Sequence, residues 1–239
     1  MAHWVVSGSL GFLLVSTFSL AQANTIVVPA TADIFSSGQA AANPGRGGTL
    51  SIEIDLPAGT NRSIQFSSNG SVMAGPLVWP LVGPDGGTTM AFGPAPTNIT
   101  SADGISGLQD PNFEFLAGVF LNANTPVTGT QPALLNFNTI GNNFASLSPV
   151  LQQSLFIGDG LTGTGTGQVQ TFNIPDGATR LFLGFLDAYN FVGTPGEYGD
   201  DTGSLAVQFN EVPEPTSITV IGLGGLSLLA RRHRAPSYS

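Results

Sequence analysis

The chain has 239 residues, with six arginines, no lysine, 15 acidic residues, two histidines and no cysteine, for a formal net charge of −9. Without thiols it forms neither disulfides nor a Cys-ligated zinc site, and without a basic patch it has nothing to neutralise phosphates, which excludes nucleic acid as a partner. The only histidines, His3 and His233, sit in terminal segments with export features, so the body between them lacks the imidazole, thiol and amine groups of nucleophilic and general-base catalysis. Carboxylates, amides and hydroxyls remain, and these are ligands for hard cations such as Ca²⁺.

In chain order, Leu10 to Leu20 is an apolar run, and Ala21-Gln22-Ala23 is a small-x-small site ahead of Asn24. That is the layout of a secretory signal peptide over residues 1–23, although its first residues hold His3 and no Lys or Arg. Residues 24–211 form the body, one domain's worth of chain rich in Gly and Pro and without helical periodicity. Its apolar alternations predict strands over Thr49 to Leu56, Ser63 to Ser67, Phe113 to Leu121, Gln168 to Ile174, Arg180 to Leu186 and Ser204 to Phe209. Strands of this length and spacing predict an all-β, jelly-roll-like β-sandwich. Ser148 and Pro149 predict a short helix over Pro149 to Leu155. Gly160 to Gly167, a Thr/Gly alternation with no following Lys or helix, reads as a flexible loop and not as a phosphate cradle. Glu53 and Glu114 alternate with apolar neighbours and read as solvent-facing strand positions, while Asp103, Asp110, Asp159 and Asp176 read as turn residues.

Chemical character is concentrated between Asp187 and Ser204. Asp187, Glu197, Asp200 and Asp201 lie within 15 residues on a Gly-Pro loop, where they repel one another unless a cation sits among them. A solvated turn, with the aspartates capping local backbone N–H groups, is the alternative. The loop resembles the calcium-binding loop of LecA-like galactophilic lectins, small galactose-binding-domain-like sandwiches. Asp187 matches that family's strand-end aspartate, and Pro195-Gly196-Glu197-Tyr198-Gly199 its middle segment, with Glu197 where the family uses a backbone carbonyl. Asp200 and Asp201 match a pair of amides, Thr202-Gly203-Ser204 the start of the last strand, and Gly83-Pro84-Asp85-Gly86 a family turn. The resemblance implies Ca²⁺ as the cofactor, a further carbonyl ligand near Ser71 or Val72, and binding of carbohydrate. This chain departs from the family in a longer loop after Asp187, in aspartates for amides, and in lacking the histidine used on sugar.

Residues 212–239 close the chain with Pro213-Glu214-Pro215, an apolar span from Ile218 to Ala230, and Arg231-Arg232-His233-Arg234. Thirteen helical residues reach roughly 20 Å, short of a ~30 Å bilayer core, and the arginines favour a cytoplasmic end. The arrangement resembles the PEP-CTERM sorting tail, which implies a membrane-embedded exosortase-type processing enzyme as partner and an exported protein held transiently in the membrane. The expected product is a non-enzymatic component of the cell envelope or extracellular matrix, with extracellular polysaccharide as its ligand. The alternatives are a purely structural matrix protein and a carboxylate-pair glycoside hydrolase using Glu53 or Glu114.

Overall fold

The computed structural model describes residues 25–75 and 79–212. They are almost entirely strands and turns, with one α-helix of four residues, Phe137–Ile140, and two single-turn 3₁₀ helices, Ile34–Ser36 and Tyr189–Phe191. The fold is all-β, as the sequence pattern predicts. A five-stranded sheet is ordered Thr25–Pro29, Thr202–Val212, Arg62–Met73, Thr171–Ile174, Ser146–Leu147. A four-stranded sheet is ordered Ser154–Phe156, Ala117–Leu121, Arg180–Gly184, Ile52–Asp55. A third sheet of short strands joins Leu135–Asn136, Leu108–Asp110, Thr97–Ile99 and Val192–Gly193.

The alternation that makes these strands also decides which faces are dry. In Arg62–Met73, Ile64, Phe66 and Val72 are buried, and across the ladder Leu205 and Val207 of Thr202–Val212 are fully enclosed. All five residues of Ala117–Leu121 are buried, so this strand is covered on both faces and reads as an unbroken apolar run. A chain of aromatic rings packed edge-on or tilted runs from the five-stranded sheet to the four-stranded one: Phe66 on Phe172 at 5.2 Å, Phe172 on Phe144 at 5.7 Å, Phe144 on Phe137 at 6.0 Å, and Phe137 on Phe156 at 5.9 Å.

The structure corrects several sequence expectations. The Ser63 strand is twelve residues long, from Arg62 to Met73, because its partner Thr202–Val212 pairs with it along eleven consecutive positions. Thr49 to Leu56 is broken at Ser51 into Thr49–Leu50 and Ile52–Asp55, and Leu50 is exposed. No helix forms over Pro149 to Leu155. Gln152 takes a left-handed φ of 65°, and Ser154–Phe156 is drawn into the sheet against Ala117–Val119, so tertiary pairing overrides the local capping signal. The Thr/Gly segment is a two-stranded hairpin, Leu161–Gly163 with Thr166–Val169, gathered by Asp159, whose two carboxylate oxygens accept the Leu161 and Gly165 N–H groups. The strand expected from Phe113 begins only at Ala117.

Candidate functional site

The four-stranded sheet delivers the first of the acidic residues. After Arg180–Gly184 the chain passes through Phe185 and Leu186, both buried, and presents Asp187 at 3 % exposure. Asp187 is fixed from several sides: its Oδ1 accepts the Ala188 N–H at 2.7 Å, its carbonyl accepts the Gly196 N–H at 3.0 Å, and its own N–H donates to the Tyr198 hydroxyl at 3.1 Å. Tyr198 is completely buried and its hydroxyl donates in turn to the Phe185 carbonyl at 3.2 Å. The loop is thus closed on itself by a phenol in the core.

Between these anchors the loop departs from ordinary backbone. Asn190, Phe191 and Glu197 all have left-handed φ, at 54°, 58° and 72°, an arrangement that non-glycine residues adopt at a free-energy cost and that clusters at binding sites. The residues that lengthen the loop, Ala188 to Thr194, swing Phe191 inward and Tyr189 outward. Phe191 is fully buried against Trp79 at 5.1 Å and Phe113 at 5.3 Å, whereas Tyr189 stays 74 % exposed.

Asp200 and Asp201 arrive from the start of the last strand. Thr202 pairs with Met73, which sets Ala74 and Gly75 of the neighbouring strand beside the aspartates. Gly75 has a φ of +81°, which favours glycine, and a Cβ there would stand 2.9 Å from Asp200 Oδ2 and push this carboxylate aside. Asp187, Asp200 and Asp201 each bring an oxygen within 4.8 Å of one another. Asp187 and Asp200 face a cavity of about 260 Å³ lined also by Ala74, Trp79, Tyr189, Asn190, Phe191 and Glu197, with Asp201 buried behind them.

Electrostatics make this an unusual place for three acids. Burial first, and the neighbouring aspartates after it, push the Asp187 carboxyl up to about 9 and the Asp201 carboxyl to about 8. Asp201 is 5 % exposed and neither of its oxygens accepts from an N–H or hydroxyl donor, so its one side-chain partner is the neighbouring Asp187 carboxyl. The described arginines are engaged elsewhere: Arg46 with Asp33 at 3.0 Å and Asp103 at 2.8 Å, Arg180 with the Asn122 and Asn124 carbonyls, Arg62 with the Pro57 and Ala178 carbonyls. Buried acceptors without donors, crowded and unpaired, are the donor set of a hard, oxygen-seeking cation. The absence of imidazole and thiol from the cluster disfavours zinc and copper.

Of the four acids singled out in the sequence, the fold brings Asp187, Asp200 and Asp201 together and leaves the Glu197 side chain at the exposed rim of the cavity. Ser71 and Val72 pair with Ser204 and Gly203 inside the ladder, and Gly75, two residues past the end of that strand, lies beside Asp200. The residue that sequence reasoning misplaces is Glu114. Expected on a solvated face, it is completely buried, and the charges acting on it are those of Asp201, Asp187 and Asp200. Glu53 does lie at a solvent-facing position, beside Arg180 at 3.7 Å.

Residues 211–235 match the PEP-CTERM protein-sorting motif. The match begins inside the last strand, at Glu211 and Val212. Its remainder, with Pro213, Glu214, Pro215, Arg231, Arg232 and Arg234, lies outside the described residues, as does the apolar span before the arginines. Among the described residues no helix is long and apolar enough to cross a membrane. Among solved structures the chain is similar to the EclA N-terminal domain, a PllA-like lectin, at 15% identity over 79% of this chain and 95% of that chain, with a TM-score of 0.32. A likeness of that degree carries no argument about what this chain binds. No curated protein matches the sequence.

Proposed function

We propose that this chain is an exported, non-enzymatic protein of the cell envelope or extracellular matrix, processed by an exosortase-type enzyme at its PEP-CTERM tail. In this reading its sandwich domain holds a calcium ion among Asp187, Asp200 and Asp201 and binds polysaccharide there. The observation that carries the cation is the buried Asp201 carboxylate, which has no N–H or hydroxyl donor and lies in one cluster with Asp187 and Asp200. Calcium takes six to eight oxygens, so carbonyls, water and sugar hydroxyls would fill the remainder of its shell. The exposed Tyr189 ring and the edge of Trp79 beside the acids supply the apolar surface on which a pyranose face stacks.

The placement of the site agrees with that role. Thr202–Val212 starts next to the aspartates and ends where the sorting motif begins, so its eleven residues put the acids roughly 35 Å from the tether. A ligand in the surrounding matrix would meet the site on the side away from the membrane.

The test is calorimetric titration of the purified protein with CaCl₂ after chelation, followed by neutral polysaccharide with and without EDTA. Ca²⁺ binding that Asp201→Asn removes, together with EDTA-sensitive glycan binding, is the expected result. Ca²⁺ binding without any glycan response would leave the ion as a loop staple in a structural matrix protein. No Ca²⁺ binding would sink the reading.

A further inference from the structure

Glu114 is the deepest acid of the region. Its side chain is fully enclosed and neither carboxylate oxygen has a hydrogen-bond partner. Its backbone φ is +52°, and the chain on either side is tied down. Phe113 exchanges backbone hydrogen bonds with Gly87 at 2.8 and 3.0 Å, and the Leu116 N–H donates to the Pro84 carbonyl at 2.8 Å. A side chain at Gly86 would run into the Phe113 carbonyl, so this contact is built around a glycine. Phe113 stacks on Trp79 and Phe191 while Phe115 packs on Phe156 at 5.2 Å. With both phenylalanines committed to the core, the left-handed residue between them turns its carboxylate inward, where a strand would have sent it to solvent.

An uncompensated buried carboxylate is one of the costliest groups a fold can hold. None of the described arginines is hydrogen-bonded to it, and the charged groups around it are Asp201, Asp187 and Asp200. Burial deepens across this set, from exposed Asp200 through Asp201 at 5 % and Asp187 at 3 % to Glu114 at 0 %. Asp187, Asp200 and Asp201 bring oxygens within 4.8 Å of one another without Glu114; those three explain a cation, but they leave Glu114 and its two bare oxygens unexplained.

Resting on the cation reading above, we propose that Glu114 is a fourth carboxylate ligand of the same ion, drawn toward it from the core side when the ion binds. The centre then carries four negative charges from two distant parts of the chain. Its selectivity follows from that count: calcium over magnesium, because the shell is large and irregular, and trivalent lanthanide ions over calcium, because charge is in excess.

Terbium is the probe, since Trp79 and Tyr189 on the cavity sensitise its luminescence, and its decay in H₂O against D₂O counts bound waters. Wild type, Glu114→Gln and Glu114→Asp are titrated with Ca²⁺ and Tb³⁺ separately. Glu114→Gln is expected to weaken Ca²⁺ by about 10–100-fold, Tb³⁺ by more, and to add water to the bound terbium. Glu114→Asp keeps the charge but withdraws the oxygens, so it is expected to admit water with a smaller loss of affinity. It also serves as the test should the glutamine variant fail to fold. Unchanged affinity, selectivity and hydration in the variants, beside a wild type that binds, overturn the role of Glu114 and leave the three-aspartate site standing. A wild type that binds neither ion overturns both.

Discussion

The hydroxyl of Tyr198 accepts the backbone N–H of Asp187 at 3.1 Å, across eleven residues of loop, from a position with no exposure to solvent. Removing that oxygen leaves the Asp187 amide buried without a partner, since no other acceptor reaches it. Tyr198→Phe is therefore expected to lower stability by about 1–3 kcal/mol in chelator, measured by urea unfolding. It should also loosen the strand-end aspartate and weaken Ca²⁺ by about ten-fold. Wild-type behaviour on both measures would show that the loop holds its shape without the phenol.

Gly75 and Gly193 make a controlled pair. Both have left-handed φ, at +81° and +92°, so alanine at either is strained by roughly 1 kcal/mol. Nothing lies within 4 Å of a Cβ at Gly193, whereas one at Gly75 meets Asp200 Oδ2 at 2.9 Å and Trp79 Cδ1 at 3.2 Å. Gly75→Ala is expected to lose Ca²⁺ affinity and Gly193→Ala only stability. Equal Ca²⁺ titrations for the two would mean that Asp200 is not a ligand.

Arg46 is 8 % exposed and lies between Asp33, at 3.0 Å, and Asp103, at 2.8 Å, with its guanidinium 5.7 Å from the Phe35 ring centre. Truncating it strands the Asp33 carboxylate in the core. Arg46→Ala is expected to cost about 3–5 kcal/mol, and adding Asp33→Asn should restore much of that. Thermal unfolding of the two variants checks it, and a double variant no better than the single would refute the charge argument.

Asp110 supplies the pH dependence. Burial pushes its carboxyl up to about 6 from the ordinary 3.8, against the Asn112 N–H and Asn142 amide that favour the charged form. Its Oδ2 and the Asn142 Oδ1 are both buried acceptors without donors. A folded value above the unfolded one means stability that is fully present below about pH 3.8 and lost as the pH rises through about 6. Asp110→Asn should remove that slope and stabilise the protein at pH 8 by about 1–3 kcal/mol. A stability profile in chelator that is identical with and without the substitution would contradict it.

What the sequence made legible follows from locality. Asp187, Asp200 and Asp201 lie in one loop beside a turn-rich segment, so their crowding could be read without the fold. Glu114 could not, because Phe113-Glu114-Phe115 satisfies the period-2 pattern of an amphipathic strand. The countersignal was that both phenylalanines follow Asp110-Pro111-Asn112, a turn leaving too little room for a regular strand to start. Ser148-Pro149 misled for the opposite reason: its capping chemistry is genuine, but pairing with Ala117–Val119 outweighs it. The Thr/Gly hairpin was hidden because its order comes from Asp159, outside the repeat.

The last prediction concerns orientation. Thr25 lies opposite Gln208 and Pro29 opposite Ser204, so the first described strand starts at the end of the sheet where the last strand finishes. Residue 25, where the described chain begins, and the sorting motif from Glu211 therefore lie at one pole, and Asp200 and Asp201 sit at the other. With eleven residues between Thr202 and Val212, the poles are roughly 35 Å apart. The chain has no cysteine, so Asn210→Cys and Thr202→Cys, both at exposed positions, each introduce a single attachment point for a fluorophore. In membranes carrying the unprocessed protein, a lipid-phase quencher is expected to dim the label at residue 210 and spare the label at residue 202. Quenching of both labels alike would mean that the sandwich lies flat on the bilayer, and its acidic pole would then face lipid headgroups instead of the matrix.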